Sequence, residues 1–441
     1  MRALLVSYSF PPVGGAGVQR VLKLTKYLPR YGVEPRVLTV ANPSVPVLDP
    51  TLERDFPPGL VVLRARTFEP GYAVKQAAWT ATFAARASAW TRAKRAVVGR
   101  LSGLAKQLLV PDPQILWQPA AQARALAELS GPDRPDVVLV SGPPFSQFLL
   151  AALVRARRRD VGVVLDYRDE WSTYRSTYEM MGSRLGALIG DPLEAALLRR
   201  AHEVTTATEE FRENLLRRFT FLSPSRVHAV PNGYDLDDFP ADLPGPPADA
   251  FVVSYAGTVF KLTSARGFLG AVRKLHEREP SLAKLLRVSF MGRIVETERD
   301  AFDGMDALGV EQAGYLEHGA VVRALSASHM VLCILDDVPG VERIYPAKIF
   351  EQMVLGRPVL TLSPPGALTR LVEAHRLGDV LPPRDEEAIC ALLASRLRAF
   401  RDGALSPPPA PVGIERYARP ALAGEFAAVM RSALERARGG A

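Results

Sequence analysis

Short apolar runs alternate with amphipathic stretches along the N-terminal half of the chain. The runs have strand length and occupy residues 3–7, 35–40, 136–140 and 162–166. Apolar residues recur at helical spacing over 18–31 and again over 148–158. Strands that are apolar along their whole length and alternate with helices are typical of a parallel sheet covered on both faces. We therefore predict a doubly wound α/β unit over residues 1–240.

The same pattern restarts after a proline-rich break, PADLPGPP, at residues 240–247. Apolar runs return at 251–255, 287–291, 331–335 and 358–362. Helical spacing is found over 267–276 and 348–355, and a final helix is predicted over 413–438. We expect a second α/β unit over 250–412 and a separate C-terminal helical segment over 413–441.

Composition places the chain among ordinary globular enzymes. Of the 441 residues, 48% are hydrophobic and 23% are charged. No apolar run reaches the ~20 residues that a membrane span needs, and the first apolar run ends at Pro11-Pro12, which does not fit a signal peptide. Cys333 and Cys390 lie far apart in apolar surroundings, so we expect core thiols and a cytoplasmic location, without a disulfide framework or zinc site.

A basic insertion is predicted at about residues 66–130. Nine basic residues and one acid, Glu69, fall between Arg64 and Val110, together with several aromatic residues. A basic helix with aromatic residues can lie on an anionic membrane surface, which would place residues 66–110 at the inner face of the membrane. A solvated basic face above a packed apolar stripe explains the pattern equally simply. The formal net charge of +8 favours anionic ligands without naming one.

A glycine-rich turn follows the first predicted strand, with glycines at Gly14, Gly15 and Gly17. It is a poor dinucleotide site, because Arg20 stands where a third small residue should close the helix onto the strand, and the second strand ends at Asn42 without a carboxylate. Backbone N–H groups of such a turn can approach a phosphate or sugar. Alternatively, the turn needs glycine only for its dihedral angles.

The strongest chemical signal lies in residues 342–360, ERIYPAKIFEQMVLGRPVL. Pro346 suits a first helical turn, which places Lys348 near a helix N-terminus. A lysine there is unfavourable unless an anion such as a diphosphate is close. Glu351 lies one turn further on the same face and could accept hydrogen bonds from ribose hydroxyls. A surface Lys–Glu pair is the alternative.

Eight segments in this order resemble the retaining GT-B glycosyltransferases of family 4. They are FPPVGGAGVQR, LVSGPPFSQ, DYRDEW, AVPNGYDLDDF, YAGTVF, MGR, GYLEH and YPAKIFEQMVLGRPVL. The resemblance implies two Rossmann-like domains that face each other across a cleft, with a C-terminal helix that crosses back to the N-terminal domain. It also implies that the C-terminal domain binds the sugar nucleotide and the N-terminal domain binds the acceptor.

Roles for individual residues follow from the resemblance. Glu351 should hold the ribose and Lys348 the diphosphate. The loop that begins at Gly257 carries Lys261 and Arg266, a basic pair for the pyrophosphate and the leaving group. Asp169 should orient the acceptor or act as a weak base, although a structural carboxylate at a strand end is an alternative. The remaining implied donor contacts are Arg293, Tyr315 and Leu316 near the base, and Gly14, Gly15 and Gly17 near the donor phosphate or acceptor.

The sequence departs from the family pattern twice. Arg343 occupies the position of the family's first glutamate, with Glu342 one residue away, so Arg343 is expected to take a donor hydroxyl or phosphate. Phe145 and Phe148 occupy a loop that carries histidines in many relatives. These departures make a catalytically silent partner subunit an alternative function. A nucleotide-sugar epimerase on the same architecture is another alternative.

The expected ligands are a nucleotide sugar as donor and a glycan, lipid-linked sugar or small molecule as acceptor. No cofactor, metal or nucleic acid is expected. The carboxylates that could bind Mg²⁺ are interpreted as loop residues; they are Asp235, Asp237, Asp238, Asp336 and Asp337.

Overall fold

The computed structural model describes residues 1–75, 109–171, 184–408 and 410–439. The chain forms two compact units. Unit 1 consists of Met1–Val230 and Leu422–Ala441, and unit 2 of Pro231–Ala421. Each unit is built on one parallel sheet flanked by helices, so the predicted architecture of two Rossmann-like units is confirmed.

Unit 1 contains a parallel sheet in the order β3-β2-β1-β4-β5-β6-β7, as far as the described residues show it. Its strands are β1 Arg2–Val6, β2 Glu34–Val40, β3 Val61–Ala65, β4 Val137–Gly142, β5 Gly162–Tyr167, β6 Glu203–Thr206 and β7 Val227–Ala229. Its helices before the crossing to unit 2 are α1 Ala16–Tyr27, α2 Gln118–Ser130, α3 Leu149–Arg157, α4 Arg184–Leu198 and α5 Glu209–Arg218. Every residue of β4 and β5 is buried, which explains why both runs are continuously apolar.

Unit 2 repeats this plan with the order β10-β9-β8-β11-β12-β13. Its strands are β8 Phe251–Ala256, β9 Leu286–Met291, β10 Val310–Gly314, β11 Met330–Ile334, β12 Val359–Leu362 and β13 Gly378–Leu381. Its helices are α6 Arg266–Arg278, α7 Pro280–Ala283, α8 His318–Ser326, α9 Lys348–Gln352, α10 Ala367–Ala374 and α11 Glu386–Arg401. In both sheets the strand order reverses beside the first strand, between β1 and β4 and between β8 and β11, where open α/β sheets bind ligands.

The C-terminal helix α12, Arg419–Gly439, packs on unit 1 as predicted. Phe426 and Met430 share a buried apolar cluster with Val18 of α1. The fully buried carboxylate of Glu203 on β6 accepts hydrogen bonds from Ser432 Oγ at 2.6 Å and from Arg436 Nε at 2.5 Å. The helix therefore completes the core of unit 1.

The two ends of unit 1 meet at one carboxylate. Asp136 accepts a hydrogen bond from the backbone N–H of Arg2 at 2.9 Å and another from Arg438 Nη2 at 3.0 Å. Strand β1 and the last turn of α12 are thus held at the same point.

The first unit ends at Val230 rather than at residue 240. Tyr234 already belongs to unit 2, because its N–H donates to Tyr417 O at 3.0 Å and its carbonyl accepts from Arg419 N at 2.8 Å. The proline-rich segment is tied to unit 2 as well, since Ser326 Oγ donates to Pro244 O at 3.0 Å. Prolines made the segment look like a linker, but its carbonyl groups still accept hydrogen bonds.

The predicted insertion at 66–130 also needs correction at its end. Residues 118–130 form α2, which buries Ala121, Ala125 and Leu129 in the core of unit 1 and connects β3 to β4. The more basic residues, 76–108, lie outside the described residues, so membrane contact through 66–110 stays a prediction. Among the described helices, none combines the length and the apolar character that a bilayer span requires.

A buried histidine joins neighbouring strands in the same way in both units. The backbone N–H of His202 donates to Val163 O, and the imidazole Nδ1 of His202 accepts from Val163 N, both at 2.9 Å. His329 makes the same pair of hydrogen bonds with Val252, at 2.8 and 3.1 Å. Burial lowers the pKa of His202 to about 4 and also lowers the pKa of His329. Both imidazoles are therefore neutral acceptors that extend the strand pairing.

Candidate functional site

Three glycines line the carboxyl edge of the sheet in unit 2. Gly257, Gly292 and Gly314 end β8, β9 and β10 with φ angles of 136°, 132° and 70°. Gly257 N donates to Met291 O at 2.8 Å, and Gly292 N donates to Gly314 O at 2.6 Å. A Cβ atom on Gly292 would lie 2.3 Å from Gly257 O. We call these three residues the glycine rim. Their positive φ angles favour glycine, Gly292 has no room for a side chain, and the rim presents no Cβ atom to a ligand.

The Lys348 ammonium group lies against this rim. Its Nζ is 3.6 Å from the centroid of the Tyr255 ring and 3.1 Å from the position that a Cβ on Gly257 would take. Nζ is buried and has no hydrogen-bond partner in the part of the chain that the structure describes. A buried ammonium group without a hydrogen-bond partner is costly, because the contact with the Tyr255 ring replaces only part of its lost hydration. An anion at the glycine rim would supply the missing partner.

Helix α9 is shorter than predicted. It ends at Gln352 instead of Leu355, and the chain then turns at Gly356 with a φ of 63°. A helix of five residues has little dipole. The attraction for an anion therefore comes from the charge of Lys348 itself.

Cys333 on β11 lies close enough to Lys348 for the lysine charge to act on it. Burial raises the pKa of the Cys333 thiol to about 11, and the Lys348 charge opposes the rise. Cys390 is also buried and free, so the prediction of two core thiols is confirmed.

Glu351 is paired with a residue that sequence reasoning did not single out. His318, the first residue of α8, places Nε2 at 3.3 Å from Oε1 of Glu351. The two side chains are 29% and 30% exposed. His318 lies within the GYLEH segment, but nothing in the sequence pattern indicates that it meets a residue so far along the chain.

The predicted basic pair after Gly257 has unequal surroundings. Arg266 Nη1 and Nη2 donate to the carboxylate of Asp300 at 2.9 and 2.5 Å. Lys261 is exposed, and no ion-pair partner for it exists among the described residues. Lys261 is thus the more available cation, whereas the charge of Arg266 is already balanced.

The other predicted donor contacts lie on the loops that follow the strands. Arg293 is exposed, and its carbonyl accepts from Val259 N at 2.8 Å, which joins the loops after β8 and β9. Tyr315 is 63% exposed, and Leu316 packs on the unit 2 core. Arg343 makes an ion pair with the adjacent Glu342.

The carboxyl edge of unit 1 is filled differently, beginning with its glycine turn. Gly14 has no room for a side chain, since a Cβ would lie 2.8 Å from Val47 Cγ1. Gly15 has a φ of 92° and open space around it, and it precedes α1. The carbonyl of Gly17 accepts a hydrogen bond from Arg168.

Arg168, in DYRDEW, holds two loops of unit 1 together. Its backbone N–H and Nε donate to Gly142 O at 2.9 and 3.3 Å. Its terminal nitrogens donate to the carbonyls of Gly17 and Pro143. The glycine turn after β1 and the loop after β4 are therefore joined by one guanidinium group.

The buried ion pair of Arg20 and Asp166 explains why an arginine stands in α1, just after the glycine turn. Arg20 on α1 contacts Asp166 at 2.8 and 3.0 Å and also donates to Val230 O at 2.7 Å. Asp166 accepts further hydrogen bonds from Ser141 Oγ at 2.6 Å and Thr205 Oγ1 at 2.7 Å. Burial alone would raise the pKa of Asp166, but Arg20 and the two hydroxyls outweigh it and hold the pKa below its ordinary value.

Asp169, the predicted acceptor-side carboxylate, follows β5 and is exposed. Crowding by protein atoms raises the pKa of its carboxyl, while Arg168 and Arg20 oppose the rise. Asp169 is thus an exposed carboxyl group at the carboxyl edge of unit 1.

The two phenylalanines after β4 belong to the core and do not face a ligand. Phe145 stacks on Trp171 with ring centroids 4.8 Å apart, and Phe148 lies 4.8 Å from the Tyr167 ring. Both are fully buried. They replace the loop histidines of many relatives with apolar packing.

Comparisons with known proteins agree with this arrangement. Residues 14–233 match the glycosyl transferase 4-like domain. The D-inositol 3-phosphate glycosyltransferase 1 of Catenulispora acidiphila is 28% identical over 237 residues, which cover 48% of this chain and 54% of that protein. The alignment therefore spans about half the length of this curated relative.

Solved structures share the fold over almost the whole chain. Sucrose-phosphate synthase from Thermosynechococcus elongatus has a TM-score of 0.58 and 16% identity, covering 99% of this chain and 94% of that one. Anabaena HepE, in complex with UDP and glucose, has a TM-score of 0.55 and 13% identity, covering 100% and 98%. A putative UDP-N-acetylglucosamine 2-epimerase from Listeria monocytogenes has a TM-score of 0.52 and 16% identity, covering 99% and 97%. Since the fold is also found in an epimerase, it does not fix the reaction by itself. Together with the domain match, these observations show that the chain belongs to the family 4-like glycosyltransferases with the GT-B fold.

Proposed function

We propose that this protein transfers a sugar from a nucleotide-diphosphate sugar to an acceptor hydroxyl, with retention of configuration and without a metal ion. Unit 2 binds the donor and unit 1 binds the acceptor. HepE of Anabaena, which has the same fold, was crystallised with UDP and glucose, and this supports a donor of the same chemical class. The acceptor is a glycan, a lipid-linked sugar or a small molecule that carries a hydroxyl group.

The observation that carries the proposal is the buried Lys348 Nζ without a partner beside Gly257. Diphosphate oxygens are strong acceptors for a charge-assisted hydrogen bond from an ammonium group. The glycine rim lets a diphosphate approach the backbone without meeting a Cβ atom. Glu351 lies three residues after Lys348 and is the nearest predicted acceptor for ribose hydroxyls.

The chemistry requires stabilisation of a leaving group. The bond between the anomeric carbon and the phosphate oxygen breaks, and a bond from that carbon to the acceptor oxygen forms. The acceptor proton passes to the departing phosphate oxygen on the same face of the sugar, which releases the nucleoside diphosphate. Fixed cations can stabilise the developing negative charge; we assign this role to Lys348 and Lys261, with a smaller share for Arg266 because Asp300 already balances its charge.

On the acceptor side, Asp169 orients the hydroxyl that attacks. Its exposed carboxylate stands beside Arg168, which ties the glycine turn to the loop after β4. Positioning of this kind supplies a large part of the rate in transfer reactions.

On the donor side, Arg343 contributes a further cation when its ion pair with Glu342 opens.

Calorimetric titration with UDP, GDP and dTDP tests the donor site. We expect Lys348→Ala and Glu351→Ala each to weaken the best nucleotide by about 1.5–3 kcal/mol, because each loses hydrogen bonds in which one partner is charged. Lys284→Ala is the matched control, since Lys284 is exposed and precedes β9 at the opposite edge of the sheet. Unchanged affinity in both site variants would refute the assignment.

Incubation with the free donor separates the alternatives. A transferase hydrolyses the sugar nucleotide slowly, an epimerase interconverts it with its epimer, and a silent partner subunit does neither. Transfer that persists in a chelator supports the metal-independent mechanism, and loss of transfer that added Mg²⁺ restores contradicts it.

A further inference from the structure

We propose that His318 is a positioning residue of the donor site: it holds the Glu351 carboxylate in place to accept hydrogen bonds from the two ribose hydroxyls of the nucleotide. The inference rests on the proposed function and adds to it a second group on the ribose side. It also predicts that His318 strengthens binding of the nucleoside part of the ligand and does not affect binding of the diphosphate part.

The geometry that supports it is a contact between two separate elements. Nε2 of His318, at the start of α8, lies 3.3 Å from Oε1 of Glu351 on α9. Both side chains are partly open, at 29% and 30%, so a ligand can reach the pair. A contact formed only for packing would not require this access.

The glycine rim connects His318 to Lys348. His318 follows Gly314 by four residues, and Gly314 O accepts from Gly292 N at 2.6 Å. Gly292 is packed on Gly257, and Gly257 lies against Lys348 Nζ. The ammonium group and the imidazole thus stand at the two ends of a series of adjoining loops on the carboxyl edge of unit 2.

The chemistry explains why a carboxylate needs such a neighbour. Glu351 has to accept hydrogen bonds from the ribose while a dianionic diphosphate binds one turn away at Lys348, which disfavours the carboxylate charge. A hydrogen bond donated by His318 Nε2–H to Oε1 offsets this repulsion and restricts the Glu351 side chain to one rotamer. The lone pairs that remain can then accept from hydroxyl groups, and less conformational entropy is lost on binding.

A double-mutant cycle tests the proposal with UDP, GDP, ADP and inorganic pyrophosphate as titrants. We expect His318→Ala to weaken the best nucleoside diphosphate about tenfold, in line with loss of one hydrogen bond to a charged group, and to leave pyrophosphate within about twofold of wild type. In the Glu351→Ala background the same change should have no further effect. His318→Gln should restore most of the affinity, because its amide N–H reaches the position of Nε2, whereas His318→Asn should not.

Lys348→Ala is the reference, since it should weaken pyrophosphate and nucleotide alike. Additive losses for His318→Ala and Glu351→Ala would overturn the positioning role, and so would an equal loss for pyrophosphate or failure of glutamine to restore binding. Those outcomes leave the donor site itself intact. If Glu351→Ala alone has no effect, this inference fails and the donor site at Lys348 is untouched. If neither these nucleotides nor dTDP bind wild type, or if Lys348→Ala and Glu351→Ala both leave affinity unchanged, the proposed function fails together with this inference. Thermal unfolding of every variant identifies any that do not fold.

Discussion

The two units share a parallel-sheet plan but finish the carboxyl edges of their sheets in opposite ways. In unit 1, arginine side chains occupy this edge: Arg20 neutralises Asp166, and Arg168 binds the carbonyls of two loops. In unit 2, the strands end on the glycine rim, and the Lys348 ammonium group has no partner among the described residues. The first edge satisfies its own charges, whereas the second leaves one unsatisfied.

This difference separates stability from function. A charge that is paired within the protein contributes to the folded state and is costly to disturb. A buried charge that awaits a ligand lowers the stability of the free protein and contributes only when the ligand is bound. Loss of the Arg20 counter-ion at the first edge should therefore lower stability, whereas removal of the Lys348 charge at the second edge should raise it.

The largest effect is expected in unit 1. Arg20→Met leaves the Asp166 carboxylate buried without its counter-ion, and removal of one partner of a buried pair typically costs about 3–5 kcal/mol. Urea unfolding monitored by fluorescence measures the loss. Replacement of Asp166 by Leu in the same chain should recover part of it, and Arg124→Ala on the exposed face of α2 serves as the control. An Arg20→Met protein as stable as wild type would contradict the comparison.

A second, smaller effect concerns Asp112. Its carboxylate accepts a hydrogen bond from the backbone N–H of Ser146, in the loop after β4, at 2.9 Å. Burial raises the pKa of Asp112 from 3.8 to about 6. A raised carboxyl pKa means that the folded state prefers the protonated form, so this group favours folding below pH 4 and the benefit is lost as the pH rises through about 6.

Asp112→Asn should therefore stabilise the protein at pH 8 by up to ~3 kcal/mol, given ~1.4 kcal/mol per pKa unit, and change little at pH 4. The measurement is the free energy of unfolding across this pH range. An unchanged pH profile in the variant would show that the Asp112 carboxylate is not under strain.

The smallest stability effect is expected in unit 2. Lys348→Met replaces a buried ammonium group with an apolar side chain of similar length. The ligand-free protein should gain about 1 kcal/mol, because an unsatisfied buried polar group costs ~1–3 kcal/mol, while stabilisation by nucleoside diphosphate is lost. Thermal unfolding with and without ligand measures both. Destabilisation of the free protein would show that Lys348 has a structural role instead.

The sequence predicts those features that depend on local pattern. Long buried strands such as β4 and β5 were predicted from their continuous apolar runs. Lys348 was predicted near a helix N-terminus, and α9 begins at this residue. Strand β6, EVTT, was missed because it is short and polar. Its buried Glu203 is paired with His228 on β7 and with Ser432 and Arg436 of the distant α12.

Partners that depend on tertiary structure were also missed. The contact between His318 and Glu351 and the bridge formed by Arg168 join residues far apart in the chain. The inward packing of Phe145 and Phe148 in the loop after β4 likewise depends on Trp171 and Tyr167. Which cation is free, Lys261 or Arg266, depends on Asp300, and no local pattern reveals that pairing.

The meeting of Arg2 and Arg438 at Asp136 has a practical consequence for dissecting the protein. A fragment that stops at Val230 lacks α12 and exposes the apolar face of α1. Because both ends of unit 1 lie beside the same carboxylate, a short glycine-serine connection from the end of α12 to Met1 should give a circularly rearranged chain that begins at Leu422 and ends at Val230. Such a chain would carry all of unit 1 in one piece, so that the acceptor binding proposed for this unit could be tested apart from the donor site.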